Sequence, residues 1–449
     1  MRTLRPTTKL AMLAASLGFS AMAASPAFAI PSFADQTGQP CSACHVGSFG
    51  PALTPTGREF KLEGYTWDGG DSKLPRVSAM LQTYLTHTDK GQPGGAAPHF
   101  ADNNNPSINQ ISLFYGGKLF DHAGAFFQAT YDGVARRIAW DLLDVRYASP
   151  AKFGNTDAIV GVTINNTPAV QDLWNSTPAW GAPFSSSNLA PGPVAVPLIS
   201  DGLGGQVLGA SAYVMWDGWL YTEIGGYRNL SDTTQTMLGV SPFGEDRVSG
   251  TAPYWRVAVQ EQFGPNYVSV GTFGLSAKIY PGQDQTAGTD RKTDVGLDAT
   301  YDYLGDEDHN YSVYANYIHE HQSLSASQLL GNSTNSSNTL RSANVTGAFT
   351  YQQTYTFSVG YFSIWGSNDL GLYGGDAANG SPNSDGLTAE VDYTPFGKDD
   401  SPFSHHLNLR LGLQYTDYLQ FNGSHSNYDG AGRSASDNNT LALLAWMMF

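Results

Sequence analysis

From Val77 onward, apolar and polar residues alternate with period two, in stretches of about ten residues enriched in Tyr, Phe, Val, Thr and Gly. Sixteen such stretches can be read: 77–86, 109–119, 124–131, 139–148, 157–166, 206–216, 219–228, 252–263, 266–280, 292–304, 310–321, 338–350, 354–365, 384–394, 406–418 and 439–449. The connections alternate as well. Those after every second stretch are mostly tight, among them Asp217-Gly218, Gly264-Pro265 and Gln352-Gln353, whereas the others are mostly longer, and Thr167 to Gly205 is by far the longest.

Short turns on one side and long loops on the other predict an all-β chain folded as a 16-stranded transmembrane up-and-down barrel, with the short turns and both ends in the periplasm and the polar long loops facing outward. The last stretch agrees, with Leu441, Leu443, Ala445, Met447 and the terminal Phe449 on one face. Unpaired backbone is not tolerated in lipid, so the sheet must close. Sixteen strands then enclose an aqueous lumen in which something further can sit. Localisation in a bacterial outer membrane, in contact with its lipid, follows.

Composition narrows the picture. The 449 residues include 50 Gly, are 12% aromatic and only 14% charged, and carry two Cys, so neither disorder nor a disulfide scaffold fits. The net charge of −16 argues against a nucleic-acid partner and favours cationic ones. Residues 1–29 read as an export signal: Arg2, Arg5 and Lys9, an apolar stretch from Leu10 to Ala24, and Ala27-Phe28-Ala29 before the cleavage point. Three units are therefore expected: this signal, a small segment over 30–75, and the barrel over 76–449.

The small segment holds the strongest chemical motif, Cys41-Ser42-Ala43-Cys44-His45. Its spacing is that of c-type haem attachment, two thioether bonds to one haem with His45 as proximal iron ligand. A redox dithiol and half of a zinc site are the rival readings. Fewer than fifty residues rarely fold alone, so a haem-bearing plug in the periplasmic mouth or lumen is expected. One haem held below the membrane could not take electrons across a bilayer core of roughly 25 to 30 Å, whereas one lodged in the pore could. Met80 falls on the lumen-facing parity of the first strand, as the distal iron ligand or as a wall side chain. Arg58 and Lys61, three residues apart, either meet the haem propionates or decorate a surface. His87, His99, His122, His319, His321, His405 and His406 read as solvated, turn, wall or rim residues. Asp89, Asp102, Glu245, Asp246, Asp284 and Asp290 fall in outer loops, where they either concentrate divalent cations or serve solubility.

The run Ile30-Pro31-Ser32-Phe33-Ala34-Asp35-Gln36-Thr37-Gly38, then Cys41 to His45, Pro51-Ala52-Leu53, Gly57-Arg58, Phe60-Lys61 and Gly64-Tyr65-Thr66, resembles the front of the fused cytochrome–porins, the single-haem outer-membrane cytochromes of iron-oxidising bacteria. The likeness continues more loosely at Gly124 to Gly133, Pro168 to Trp174 and Pro178 to Trp180. It implies a covalent haem c plug in a sixteen-stranded barrel that takes electrons from extracellular Fe(II) and passes them to a periplasmic cytochrome or other soluble carrier. Two positions depart from that family's pattern, Asp35 where it has Arg and Trp67 where it often has Met. The same architecture with another donor or outward electron flow, and a diffusion porin with a structural haem plug, are the alternatives.

Overall fold

The computed structural model describes residues 30–69, 76–176, 183–201, 203, 205–240, 246–306, 308–403 and 407–449. The export signal read over 1–29 lies outside them, as do Glu245, His405, His406 and the Pro178 to Trp180 segment.

All sixteen expected strands form. In chain order they are β1 (Val77–Thr88), β2 (Asn105–Phe120), β3 (Ala123–Asp132), β4 (Arg137–Phe153), β5 (Thr156–Asn165), β6 (Val207–Trp216), β7 (Leu220–Asn229), β8 (Ala252–Phe263), β9 (Asn266–Tyr280), β10 (Asp290–Leu304), β11 (His309–Ser323), β12 (Ser337–Tyr351), β13 (Tyr355–Gly366), β14 (Ser384–Tyr393), β15 (Asn408–Gln420) and β16 (Thr440–Met448). A short strand, Arg247–Ser249, leads into β8 and pairs with the far end of β9. Each strand pairs antiparallel with its neighbours, and β1 pairs with β16 from Met80↔Met448 to Thr88↔Thr440, so the wall closes. Closure leaves no open sheet edge for lipid to meet.

The period-two pattern sorts the two faces. On β1, Ser78, Met80, Gln82, Tyr84 and Thr86 are buried in the lumen, while Val77 and Leu85 are exposed on the outside. On β10, Asp294, Asp298 and Asp302 point inward and Val295, Leu297 and Tyr301 outward. Exposed aromatic side chains gather on the outer face near the short turns: Phe120, Phe153, Trp219, Phe263, Tyr311, Tyr351, Tyr355 and Tyr393. Such a girdle marks where a barrel wall meets the membrane interface. An apolar exterior, an aromatic girdle and a polar interior place the barrel in a bacterial outer membrane.

The lumen is filled at two levels. Near the short turns sits the N-terminal plug, with helices α1 (Pro31–Thr37), α2 (Cys41–Cys44) and α3 (Pro55–Leu62). Above it runs the β5–β6 connection. That connection was expected to face outward with the other long loops, but it folds into the barrel, where Val170, Leu173, Trp174, Leu189 and Ile199 are buried. The cause lies in its own side chains, since an apolar set flanked by Asp172 and Asn175 finds partners in the lumen and none outside. Asp290 also differs from the outer-loop reading. It opens β10, is buried, and accepts hydrogen bonds from the Ala326 and Ser327 backbone at 2.8 and 3.1 Å.

Replacing lipid-facing Leu297, near the middle of β10, with Arg is expected to destabilise the barrel by about 2–4 kcal/mol. The check is the urea midpoint for unfolding from lipid vesicles, with Leu297→Ala as a milder comparison.

Candidate functional site

The Cys-x-x-Cys-His segment is held by its own neighbourhood. Cys41 to Cys44 form one helical turn closed by a hydrogen bond from the His45 amide to the Cys41 carbonyl at 2.8 Å. Beyond it the chain doubles back, so that His45 bridges to Leu53 and the Thr54 amide donates to the Cys44 carbonyl at 3.0 Å. Thr54 then caps α3, accepting from the Gly57 amide at 3.2 Å, with Pro55 in the first turn where its missing N–H costs nothing. A Cβ on Gly57 would lie 2.3 Å from the Cys44 carbonyl oxygen, so only glycine lets α3 pack this closely on the motif. Behind it Phe33, Phe60 and Tyr65 form a ring cluster with centroids 5.0 to 5.8 Å apart.

The plug is bolted to the wall all round the short-turn end. Arg58 pairs with Asp302 of β10 at 3.2 Å and lies 3.7 Å over the Tyr267 ring. The Tyr65 hydroxyl donates to Asp144 of β4 at 2.7 Å, and Tyr213 of β6 donates to the Leu62 carbonyl at 2.7 Å. On the opposite side Arg410 and Asn408 of β15 donate to the Phe49 and Ser48 carbonyls at 3.0 and 2.8 Å. Lys61 points toward the inward loop, donating to the Asp172 carbonyl at 2.5 Å and to Asn175 at 3.0 Å. Of the two cations singled out in the sequence, Lys61 reaches the cavity beside the motif, whereas Arg58 is spent on the wall.

That cavity has a volume of about 640 Å³ and lies between plug, wall and inward loop. Cys41, Cys44, His45 and Lys61 line its plug side. Across from them stands an apolar patch of wall, with Met80, Phe114, Trp446, Phe126 and Met448 contributed by β1, β2, β16 and β3. Met80 is 4% exposed and sits directly opposite Met448 in the register of the closing seam. Sequence reading reached Met80 but not Met448, Phe114, Phe126 or Trp446. One signal was available: on β16 both parities are apolar, since Leu444, Trp446 and Met448 face inward while Leu441 and Leu443 face lipid. A strand facing an aqueous lumen should not read that way.

Burial sets the protonation of the motif. It pushes the Cys41 thiol up to about 12, with Cys44 adding to the effect, and the Cys44 thiol up to about 11. A redox-active dithiol needs the opposite shift, so that rival reading loses support. Burial drives the His45 imidazole down to about 4, opposed by the nearby Gly50 backbone, so the ring is neutral near pH 7. Its buried Nδ1 is without a partner in hydrogen-bond geometry. Among the described residues, no group of three or more His, Cys, Asp or Glu side chains gathers into a metal-holding cluster. The other described histidines do not line the cavity: His87 bonds Asn104 at 2.9 Å, His122 occupies the β2–β3 turn, and His319 accepts from Arg341 at 3.2 Å. Trp67, one of the two departures from the family pattern, packs on Phe60 and does not line the cavity.

Closed wall, lipid-facing exterior and obstructed polar lumen together define an outer-membrane barrel of the porin type. No family profile matches the chain, and no curated protein matches it in sequence. Among solved structures it is similar to the outer-membrane channel DcaP of Acinetobacter baumannii, at 11% identity and TM-score 0.45 over 86% of this chain and 99% of that one. Similar too are an anion-selective porin from Comamonas acidovorans, at 11% identity and TM-score 0.43 over 83% and 98%, and OmpT of Vibrio cholerae, at 12% and 0.42 over 83% and 96%. Likenesses this distant add no argument to the one from the barrel itself.

Two predictions test the docking. Arg58→Ala leaves Asp302 buried without its cation and is expected to cost about 3–5 kcal/mol; planar-bilayer conductance should rise as the plug loosens, and adding Asp302→Asn should reverse part of the rise. Lys61 gives a pH dependence. Its ammonium is pushed from 10.5 down to about 7, chiefly by burial and then by Arg146, against the pull of Asp144, Asp172 and Glu223. The folded chain therefore sheds this proton before the unfolded chain does. The penalty is complete below about pH 7 and is relieved as pH rises from there toward the unfolded value. The urea midpoint should climb across that window, and Lys61→Met should flatten the climb.

Proposed function

We propose that this protein is an outer-membrane electron conduit: a barrel closed by a c-type haem plug that oxidises extracellular Fe(II) and delivers the electrons to a soluble periplasmic carrier. Fe(II) gives up one electron to become Fe(III), and the carrier is reduced by one electron. The observation that carries the reading is that Cys41, Cys44 and His45 open onto a cavity whose facing wall is apolar, formed by Met80, Phe114, Phe126, Trp446 and Met448.

The residues fit the group. A volume of about 640 Å³ lies within the usual range for small-molecule and cofactor sites, about 300–1,000 Å³. Haem c attached through Cys41 and Cys44 would supply a one-electron acceptor inside the membrane barrier. His45, neutral and buried with an unpartnered ring nitrogen, offers the form of imidazole that ligates iron. Met80 is the distal candidate from the wall, and a thioether there raises a haem potential relative to a second imidazole. Phe114, Phe126 and Trp446 line the cavity's apolar side, and Lys61 brings an amine to its plug side. Arg58 holds the plug in register through Asp302 rather than meeting propionates. The plug sits at the short-turn end of the wall, where Ser42 bonds Asp399 of the β14–β15 turn, and its cavity opens from there toward Met80 and Gln82 of β1.

The test is anaerobic stopped-flow absorbance of the oxidised, haem-loaded protein in detergent, mixed with Fe(II) near its working pH. Rapid growth of the reduced α band is expected, and Cys44→Ala should lose covalent haem as read by denaturing gel peroxidase staining. Reduction by dithionite but not by Fe(II) would overturn the iron assignment and move the search to other donors.

A further inference from the structure

The inward loop divides the lumen into two chambers. The inner one is the cavity at the motif. The outer one, about 410 Å³, lies between the loop and β11 to β16. Its wall reaches from mid-strand, at Asn316 of β11 and Asn344 of β12, to the long-loop ends, at Phe362 and Ile364 near the end of β13, Thr416 and Tyr418 near the end of β15, and Thr440 as the first residue of β16. The chambers are therefore stacked along the barrel axis, the outer one on the extracellular side. They share Asn175, Pro183, Phe184, Ser185, Ser186 and Ser200 as a common partition.

Two properties set the outer chamber apart. First, no charged side chain lines it among the described residues, although Asp294, Asp298, Glu320, Glu390 and Arg256 crowd the lumen nearby. Hydroxyls and amides share the lining with Pro193, Val196, Phe362 and Ile364, and the buried Ser342 Oγ has no hydrogen-bond partner. Such a lining can hydrogen-bond the water shell of a metal ion yet has no carboxylate to hold it, which suits passage, where binding must be weak enough to release. Second, the partition is braced. Ser185 bonds Tyr84 of β1 and accepts from Gln414 of β15 at 2.9 Å, Ser187 bonds Thr86 at 2.6 Å, and Asn109 donates to the Ser186 carbonyl at 2.9 Å. Phe184 directly precedes these ties at φ 71°, a backbone region that bulky residues avoid, with its ring 5.7 Å from that of Tyr314.

We propose that the outer chamber is the entry route of the electron donor, and that the Phe184–Ser186 partition restricts the donor to a small dissolved species, a hydrated metal ion, rather than a protein or a solid surface. The proposal rests on the electron-conduit reading above.

The test places a single thiol in the chamber, as Ser342→Cys in the haem-loaded protein, whose native cysteines are taken up by haem attachment. Asn344→Cys serves if that variant fails to fold. Labelling from the extracellular side is followed by mass spectrometry with a small methanethiosulfonate and with a polyethylene-glycol maleimide. The small reagent should react and the large one should not. Fe(II) stopped-flow then compares the same variant before and after attachment of an aromatic maleimide small enough to enter, and the label should slow reduction at least about tenfold by filling the route. No labelling by the small reagent, ready labelling by the polymer, or equal Fe(II) rates with and without the label would each overturn the proposal. Failure of the unlabelled protein to accept electrons from Fe(II) would instead overturn the iron reading on which it rests.

Discussion

Every peptide group that crosses lipid must find its hydrogen bond within the protein, and the architecture follows from that demand. It forces β1 onto β16 and fixes the width of the ring, which at sixteen strands is too wide for side chains alone to fill. What fills it must come from the same chain, and its charges must find partners there. Four arginines do most of this joining. Arg58 reaches from the plug to Asp302, and Arg146 binds Asp144 and the Gln171 carbonyl of the inward loop. Arg256 meets both Asp298 and Asp172, while Arg410 holds the Phe49 carbonyl and lies 5.0 Å over the Phe49 ring. A planar guanidinium can bind a carboxylate, a carbonyl and an aromatic face from one position, which a lysine cannot do.

That arrangement of charge gives the apolar patch its meaning. Buried carboxylates and arginines occupy the lumen face of β4, β7, β8, β10, β11, β14 and β15, but not the seam from β16 through β3. Burying Phe114, Trp446 and Met80 inside a barrel gains little unless something apolar covers them, because water would otherwise fill the lumen around them. Phe49 covers part, with its ring centroid 5.0 Å from that of Trp446. The rest faces the cavity into which Cys41, Cys44 and His45 open, so the wall opposite them offers apolar surface to whatever occupies that cavity.

The wall was legible because its code is local. Period two and turn residues set each strand within a few positions, and the parity of Val77 to Thr86 set which face of β1 meets the lumen. The inward loop was not legible, because Asn, Ser, Gly and Pro look alike in a loop that projects into water and in one that crosses a polar lumen. Only Val170, Leu173 and Trp174 hinted at burial. In the site, Cys41, Cys44 and His45 stood out by their spacing alone, and Met80 by the strand parity that places it on the lumen face. Arg58 was ambiguous, since its partner Asp302 lies 244 residues along the chain. Met448, Phe114 and Phe126 meet the motif only after the barrel closes, a contact that no window of sequence contains.

The small size of the plug explains why it is fused to the barrel. Residues 30–69 form three short helices around a few aromatic rings, and a unit of that size buries too little to be stable alone. Docked, it gains the Asp302, Asp144, Asn408 and Arg410 contacts and buries Phe49 and Leu62 against the wall. As a separate protein it would have to find them at its free concentration in the periplasm. Joined to β1 by a short stretch of chain, it meets them at an effective concentration on the order of millimolar. The same linkage fixes stoichiometry at one plug per pore. A wall with this wide a lumen is therefore never formed without the segment that closes it, and the ion pairs that would be exposed in an empty barrel are completed by the chain that made them.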